Sequence, residues 1–332
     1  MFNKFYISKS NLLHNLKLVK EKTNAKVCAM VKANAYGVGL KEVVTILSNK
    51  VDFFGVVNSA EADYVRELTS NKILIVGPLE HKSLKDYSYA CCNLKDIKYL
   101  IAKNKRIYIH IKINTGMNRF GLNIRQLKVA LKLIAKSKLV VEGVFTHFAT
   151  NDSFVDCQYR MFTKAVLLIK KHGYNPIVHA DNSANITKHN LDMVRVGFKL
   201  YNEHSPFKPI VKIMAKVLQV NTVNRGAVIG YDYNFVASKK MRVAVVSLGY
   251  ADGFMHGLIG CGIFVKGKLC KILNVCMDCF MLDITDVNIK IGEDIYIINK
   301  KNTLFNYAKY LNTSPYEIGT NFSKIRAKKY LI

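Results

Sequence analysis

Before about residue 205 the chain alternates short apolar runs with stretches patterned as helices, and this alternation restricts the possible fold more than any other feature. The apolar runs are Val27–Val31, Phe53–Val57, Ile73–Val76, Tyr89–Cys92, Ile107–Ile113, Val140–Thr146, Ile177–Ala180 and Met193–Val196. Helical stretches such as Leu40–Leu47, Ala60–Leu68, Leu94–Ala102, Leu127–Ala135 and Cys157–His172 lie between them, and Ser59 is placed to cap the second of these. Strands alternating with helices need a parallel sheet, and eight of them predict a closed (β/α)8, TIM-like barrel. After residue 205 the pattern changes to short apolar runs broken by Gly and Asn, as in MRVAVVSLGYADG and GIFVKGKLCKILNV, which reads as an all-β module. The expected fold class is therefore α/β plus β: a barrel over residues 1–207 and a mostly β domain over 208–332, with the extreme N-terminal strand packing with the second.

The composition is globular, with half of 332 residues hydrophobic and 22% charged. No apolar run approaches the roughly 18 residues that a membrane helix needs, and the N-terminal stretch MFNKFYISKSNLLHNLKLVKEK lacks the apolar core of a secretory leader. A cytoplasmic protein without a membrane partner is expected. The net charge of +27 raises a nucleic-acid reading, but the Lys and Arg residues are spread along the chain and accompany no nucleic-acid motif. No specific nucleic-acid partner is expected, although this charge would draw small anions towards a cleft. Eight scattered cysteines suit reduced thiols. Cys276 and Cys279 form a CxxC pair to which Cys261 and Cys270 could add two zinc ligands, but CMDCFMLDITDV reads as a strand rather than a redox helix. Structural thiols and no metal are expected.

Chemistry-bearing residues fall where a barrel would use them. Lys32 follows the first barrel strand, in CAMVKANAYGVG, and catalytic groups of such barrels sit at the C-terminal ends of strands. In RIYIHIKINTGMNRFG the isoleucines 107, 109, 111 and 113 share one face, while Tyr108, His110, Lys112 and Asn114 share the other. The apolar face suits the outer helices, so the polar face points into the barrel, where it needs partners or a ligand.

The stretch AMVKANAYGVG resembles the cofactor-lysine motif of the alanine racemases, pyridoxal 5′-phosphate (PLP) enzymes of fold type III. TGMNRFG (115–121), THFATND (146–152), NSA (182–184), VRVG (194–197), GYADG (249–253) and CMD (276–278) are similar to further motifs of that family, in its order and over nearly the whole chain. The resemblance implies a PLP-binding barrel followed by a β-domain, and interconversion of L- and D-alanine that supplies D-alanine for peptidoglycan. It implies Lys32 as the residue holding PLP as a Schiff base, and Tyr36 and Ser183 as phosphate contacts. Gly197 and Phe198 belong to the same cofactor set. His147 is implied to lie against the cofactor ring, and Arg195 to face its pyridine nitrogen. A guanidinium stays protonated, so it disfavours protonation of that nitrogen and weakens the electron sink. Racemisation needs one base on each face of the Cα. By resemblance these are Lys32 and Tyr250, the tyrosine coming from the partner subunit of a homodimer with shared active sites. Arg119 and the Met277 backbone match groups that bind the substrate carboxylate, and Lys112 matches a lysine that is carbamylated in many members.

The chain departs from the family pattern in places. Val38 stands between Gly37 and Gly39 where a histidine is usual, Asn114 replaces a common Asp, and NFSKIRAKKYLI replaces a C-terminal segment that often carries a phosphate-binding tyrosine. Lys324 is the candidate replacement. Serine stays open as a substrate beside alanine. A non-catalytic PLP carrier would resemble the barrel alone, and a fold type III decarboxylase would lack the VRVG and GYADG signatures.

Overall fold

In the computed structural model, the described residues are all of 1–332 except Met1, Lys82, Ser83, Asn151, Ala184, Asn185, Thr187, Asn202–His204, Asp232 and Asn234. Ala184 of the NSA stretch and Asn151 of THFATND thus lie outside the described residues. The chain forms two compact units, one of residues 15–35 and 40–200 and one of residues 1–14, 36–39 and 201–332.

The first unit is the barrel. Its strands are β2 (Lys26–Met30), β3 (Phe53–Val56), β4 (Lys72–Ile75), β5 (Ser88–Cys91), β6 (Ile107–Lys112), β7 (Leu139–Phe145), β8 (Ile177–His179) and β9 (Met193–Val196), numbered after the N-terminal β1 (Asn3–Ile7). They pair in parallel in the order β8-β7-β6-β5-β4-β3-β2-β9. A parallel bridge between Asn182 and Arg195, with the Arg195 N–H donating to Asp181 O at 3.0 Å, brings the two ends together. The expected barrel is thus present, although no helix crosses between β4 and β5 or between β8 and β9 among the described residues.

Helix boundaries follow capping chemistry. The helix Ser59–Leu68 is capped by Asn58, whose side chain accepts from Glu61 N at 2.9 Å, so the cap lies one residue before the expected Ser59. The helix Ile124–Ile134 starts three residues earlier than periodicity indicated, because Asn123 and Gln126 close a reciprocal capping box. The helix Phe154–Lys171 likewise starts before Cys157.

The barrel interior carries the polar face of β6. Ile109 and Ile111 are fully buried on the helix side, whereas His110 and Lys112 are buried among groups of neighbouring strands. Gly143 on β7 makes room for this: a Cβ there would collide with the His110 ring. Phe145 stacks on His179 at 4.9 Å and Phe53 meets His110 edge-on at 6.1 Å.

Among its described residues, the second unit is a β-sheet with the short helices Leu304–Tyr310 and Pro315–Asn321 toward its C-terminal end. Its strands are β10 (Val211–Val223), β11 (Met241–Val246), β12 (Gly262–Val265), β13 (Lys268–Val275), β14 (Phe280–Asp283), β15 (Asp294–Ile298) and β16 (Ala327–Leu331). They run in the order β12-β13-β14-β11-β10-β1-β16, with β15 on β10. β1 pairs antiparallel with β10 and parallel with β16, so the two chain ends share one sheet. Phe254 and Phe280, both fully buried, pack at 4.7 Å in the core of this unit.

Candidate active site

Val31 extends the β2 ladder to the rim, its N–H donating to Gly55 O at 2.9 Å, and Lys32 follows. The next four residues, Ala33, Asn34, Ala35 and Tyr36, have φ of 52°, 54°, 51° and 58°, a complete left-handed turn. Such a conformation costs roughly 1–2 kcal/mol per L-residue, and less for Asn, so surrounding contacts must impose it. Ala35 N donates to Val31 O at 2.8 Å, Leu40 N to Asn34 Oδ1 at 2.7 Å, and Ala33 N to Glu61 Oε1 at 2.7 Å. Burial lowers the Lys32 pKa, and Arg119 and Arg195 push the same way while Glu61 opposes them.

Lys112 ends β6, buried over the rings of Phe120 and Phe145 at 5.3 and 5.4 Å. Burial pushes its pKa down to about 8, with Arg119, Arg195 and Lys32 adding to the effect and Cys92 opposing it. No carboxylate among the described residues pairs with it. His147, two residues beyond β7, is held down to about 3 by burial first and then by Arg195, Arg119, Lys112 and Lys32, so its ring is neutral at pH 7. Arg119 is exposed in the loop after β6. Asn114 shapes that loop, its Oδ1 accepting from Gly116 N and Asn118 N, both at 3.1 Å. An amide oxygen meets this need as a carboxylate would.

Arg195 on β9 is 6% exposed and held by four acceptors. Nη1 donates to His179 Nδ1 at 2.8 Å and His179 O at 3.1 Å, and Nη2 to Thr146 O at 2.8 Å and Ala180 O at 3.1 Å. A guanidinium cannot accept, so His179 Nδ1 carries no proton and Nε2–H donates to His110 Nδ1 at 2.8 Å. His110 Nε2–H in turn donates to Glu142 Oε2 at 3.2 Å. Burial keeps both histidines neutral. Burial also raises the Glu142 carboxyl, but hydrogen bonds from His110, Lys72 and Ser88 outweigh it and hold the group at about 2. One directed chain of hydrogen bonds thus runs from the rim arginine through two histidines to a carboxylate.

Ser183 Oγ accepts from Gly197 N at 3.2 Å and Lys199 N at 3.4 Å, where β9 leads into the short helix Phe198–Tyr201. Lys32, Lys112, Arg119, His147, Ser183, Arg195, Gly197 and Phe198 all belong to the barrel unit. Tyr36, Tyr250, Met277 and Lys324 belong to the other. There the Tyr36 ring lies 5.3 Å from Tyr201 and 6.0 Å from Tyr316. Tyr250 opens the 3-10 turn Tyr250–Asp252 and is 45% exposed. Its N–H donates to Cys276 O and that of Ala251 to Met277 O, both at 3.0 Å. A Cβ on Gly249 would collide with Met277 O, so the chain needs glycine for this approach. Met277 is also exposed, and its N–H has no acceptor among the described residues. Lys324 is exposed in the turn Phe322–Lys324.

Sequence reasoning missed four groups that organise these positions. Arg326 grips Asp252 through Nε at 2.8 Å and Nη2 at 3.0 Å, and Asp278 through Nη2 at 2.7 Å. It thereby ties the Tyr250 turn to the CMD turn. Glu61, Lys199 and His179 were the others. The position of His179 at a strand end was the one available signal, since an acid in a helix's first turn, as Glu61 is, is ordinary.

Residues 7–205 match the family described as alanine racemase, N-terminal domain, and residues 210–330 match alanine racemase, C-terminal domain. The chain belongs to the alanine racemase family. An alanine racemase of Francisella philomiragia is 32% identical over 347 residues, covering 94% of this chain and 95% of that protein. The crystal structure of alanine racemase from Bacillus anthracis with bound L-Ala-P superposes with a TM-score of 0.93 at 26% identity, over 100% of this chain and 95% of that one. The alanine racemase of Bartonella henselae with covalently bound pyridoxal phosphate shares the fold at a TM-score of 0.90 and 24% identity, over 100% of both chains.

Proposed function

We propose that this alanine racemase interconverts L- and D-alanine with PLP as cofactor and with Lys32 and Tyr250 as its two bases, supplying D-alanine for peptidoglycan. The observation that carries the reading is the donor set of the barrel rim: a partly desolvated Lys32 amine, a fixed Arg195 and a neutral His147. Beside them, the Ser183 hydroxyl lies among backbone amides. These residues fit the cofactor. The amine has the lowered basicity needed to attack an aldehyde, and Ser183 with its amides suits a phosphate. When bound, the cofactor supplies an electron sink conjugated to the substrate Cα.

Each residue then has a task. Tyr36, Ser183, Gly197 and Phe198 would hold the phosphate, and His147 would offer the ring an uncharged face. Arg195 would donate to the ring nitrogen without giving up its proton, which would limit charge delocalisation and side reactions. Its four acceptors keep it from turning away. Arg119 and the Met277 N–H bind the substrate carboxylate. A Lys112 amine with a pKa of about 8 keeps enough neutral form to capture carbon dioxide, and the resulting carbamate gives Arg119 an anionic partner. Lys32 moves the proton on one face of the Cα and Tyr250 on the other.

The exposure of Tyr250 and Met277 supports a homodimer in which each copy completes the site of the other. On this reading residues 1–207, apart from the N-terminal strand that pairs into the second sheet, are the cofactor barrel, and 208–332 are the domain that delivers Tyr250. All eight cysteines are free, which suits a cytoplasmic location. Mixing inactive Lys32→Ala and Tyr250→Phe proteins tests the shared site. Half of randomly exchanged dimers are mixed and each holds one intact site, so about a quarter of the wild-type rate returns. Sites complete within one copy would restore none.

A further inference from the structure

We infer that Glu61 is a positioning residue for Lys32, its carboxylate latching the left-handed turn behind the lysine to the end of the neighbouring strand. The inference rests on Lys32 being the cofactor-bearing lysine. Ala33 N, one residue after Lys32, donates to Glu61 Oε1 at 2.7 Å, and Val57 N, one residue after β3, donates to Oε2 at 2.9 Å. One carboxylate therefore joins the loops that follow β2 and β3. Both bonds are charge-assisted, and two N–H donors on two oxygens are a demand that a neutral amide, with one acceptor oxygen, cannot meet. The position of Glu61 is itself fixed, because its own N–H caps onto Asn58 Oδ1 at 2.9 Å.

The turn needs such a latch. Ala33 and Ala35 are good right-handed helix formers held at φ of 52° and 51°, and their release would swing the Lys32 amine away from the rim. Glu61 also acts by charge. The charged groups that influence the Lys32 amine are Arg119, Arg195, Glu61 and Lys112, and Glu61 is the one anion among them.

The test labels apo wild type, Glu61→Gln and Glu61→Asp with acetic anhydride across a pH series. Acetylation at Lys32 is read by mass spectrometry, with PLP titrations followed by visible absorbance and with thermal midpoints. Glu61→Gln removes the anion, so the labelling midpoint of Lys32 moves to lower pH while PLP affinity falls about tenfold or more. Glu61→Asp keeps the charge but shortens the reach, so the labelling midpoint stays near that of wild type while PLP affinity still falls. The dissociation between the two variants separates a latch from general destabilisation. Wild-type labelling midpoints and PLP affinity in both variants would overturn the inference. Failure of wild type to take up PLP through Lys32 would instead sink the cofactor reading.

Discussion

Lys32 and Tyr250 stand in opposite surroundings. Lys32 is partly buried in the barrel unit, within the influence of Arg119, Arg195 and Glu61, and its backbone leads into a strained turn held by three hydrogen bonds. Tyr250 is 45% exposed in the β unit, and what holds it is its backbone, hydrogen-bonded to Cys276 O, with Arg326 gripping Asp252 of the same turn. The amine is thus enclosed by groups of its own unit, whereas the phenol stands open to solvent. The contrast teaches that the two proposed bases differ in what surrounds them: Lys32 is packed within its unit, and Tyr250 is left for a second copy to cover if the proposed homodimer forms.

The largest effect that sharpens this contrast comes from Lys32→Ala. It should lower racemisation about 10⁴-fold or more and abolish the visible absorbance of bound cofactor, while apo circular dichroism stays unchanged. Retained cofactor absorbance would break the assignment. Next in size is Gly143→Ala, whose Cβ would displace the His110 ring and with it the support of Arg195. Urea unfolding should show a loss of about 1–3 kcal/mol, with weaker PLP binding.

The pH dependence of stability tests the barrel cluster from another side. The folded-state pKa of Lys112, about 8, lies below its ordinary value of 10.5, so between the two the unfolded chain binds the extra proton. Stability of the apo protein in buffer free of carbon dioxide should therefore rise as pH goes from 8 to 10.5, and the full penalty should be present below 8. Lys112→Met should remove that slope and raise stability at pH 7 by up to about 3 kcal/mol. His147, at about 3 when folded, gives a similar rise between 3 and 6.5. A slope unchanged in Lys112→Met would show that its burial is not what lowers it. The smallest effect is expected of Arg326→Gln, which loosens the exposed Tyr250 turn and should lower kcat a few-fold with little change in PLP affinity.

The barrel was legible because its strands are continuous apolar runs whose polar flanks simply lengthen the ladder, as Lys26, Lys72 and Ser88 do. The alternation in β6 also correctly placed His110 and Lys112 inside. Three things were not legible. The left-handed conformation of KANAY contradicts the local preference of its alanines and depends on Glu61, 28 positions away in sequence from Ala33. The His179–His110–Glu142 chain joins three strands, and no local pattern announces it. Arg326 meets Asp252 and Asp278 across 74 and 48 positions, so no local pattern joins it to either acid.

The most direct test of the two-base account follows Tyr250→Phe with PLP bound, incubated separately with L- and D-alanine in deuterium oxide. Chiral chromatography and mass spectrometry read the products. The expected result is near-complete loss of inversion, with deuterium still entering the Cα of one enantiomer, the one served by Lys32. Inversion at the wild-type rate, or deuterium entering both enantiomers equally, would contradict it.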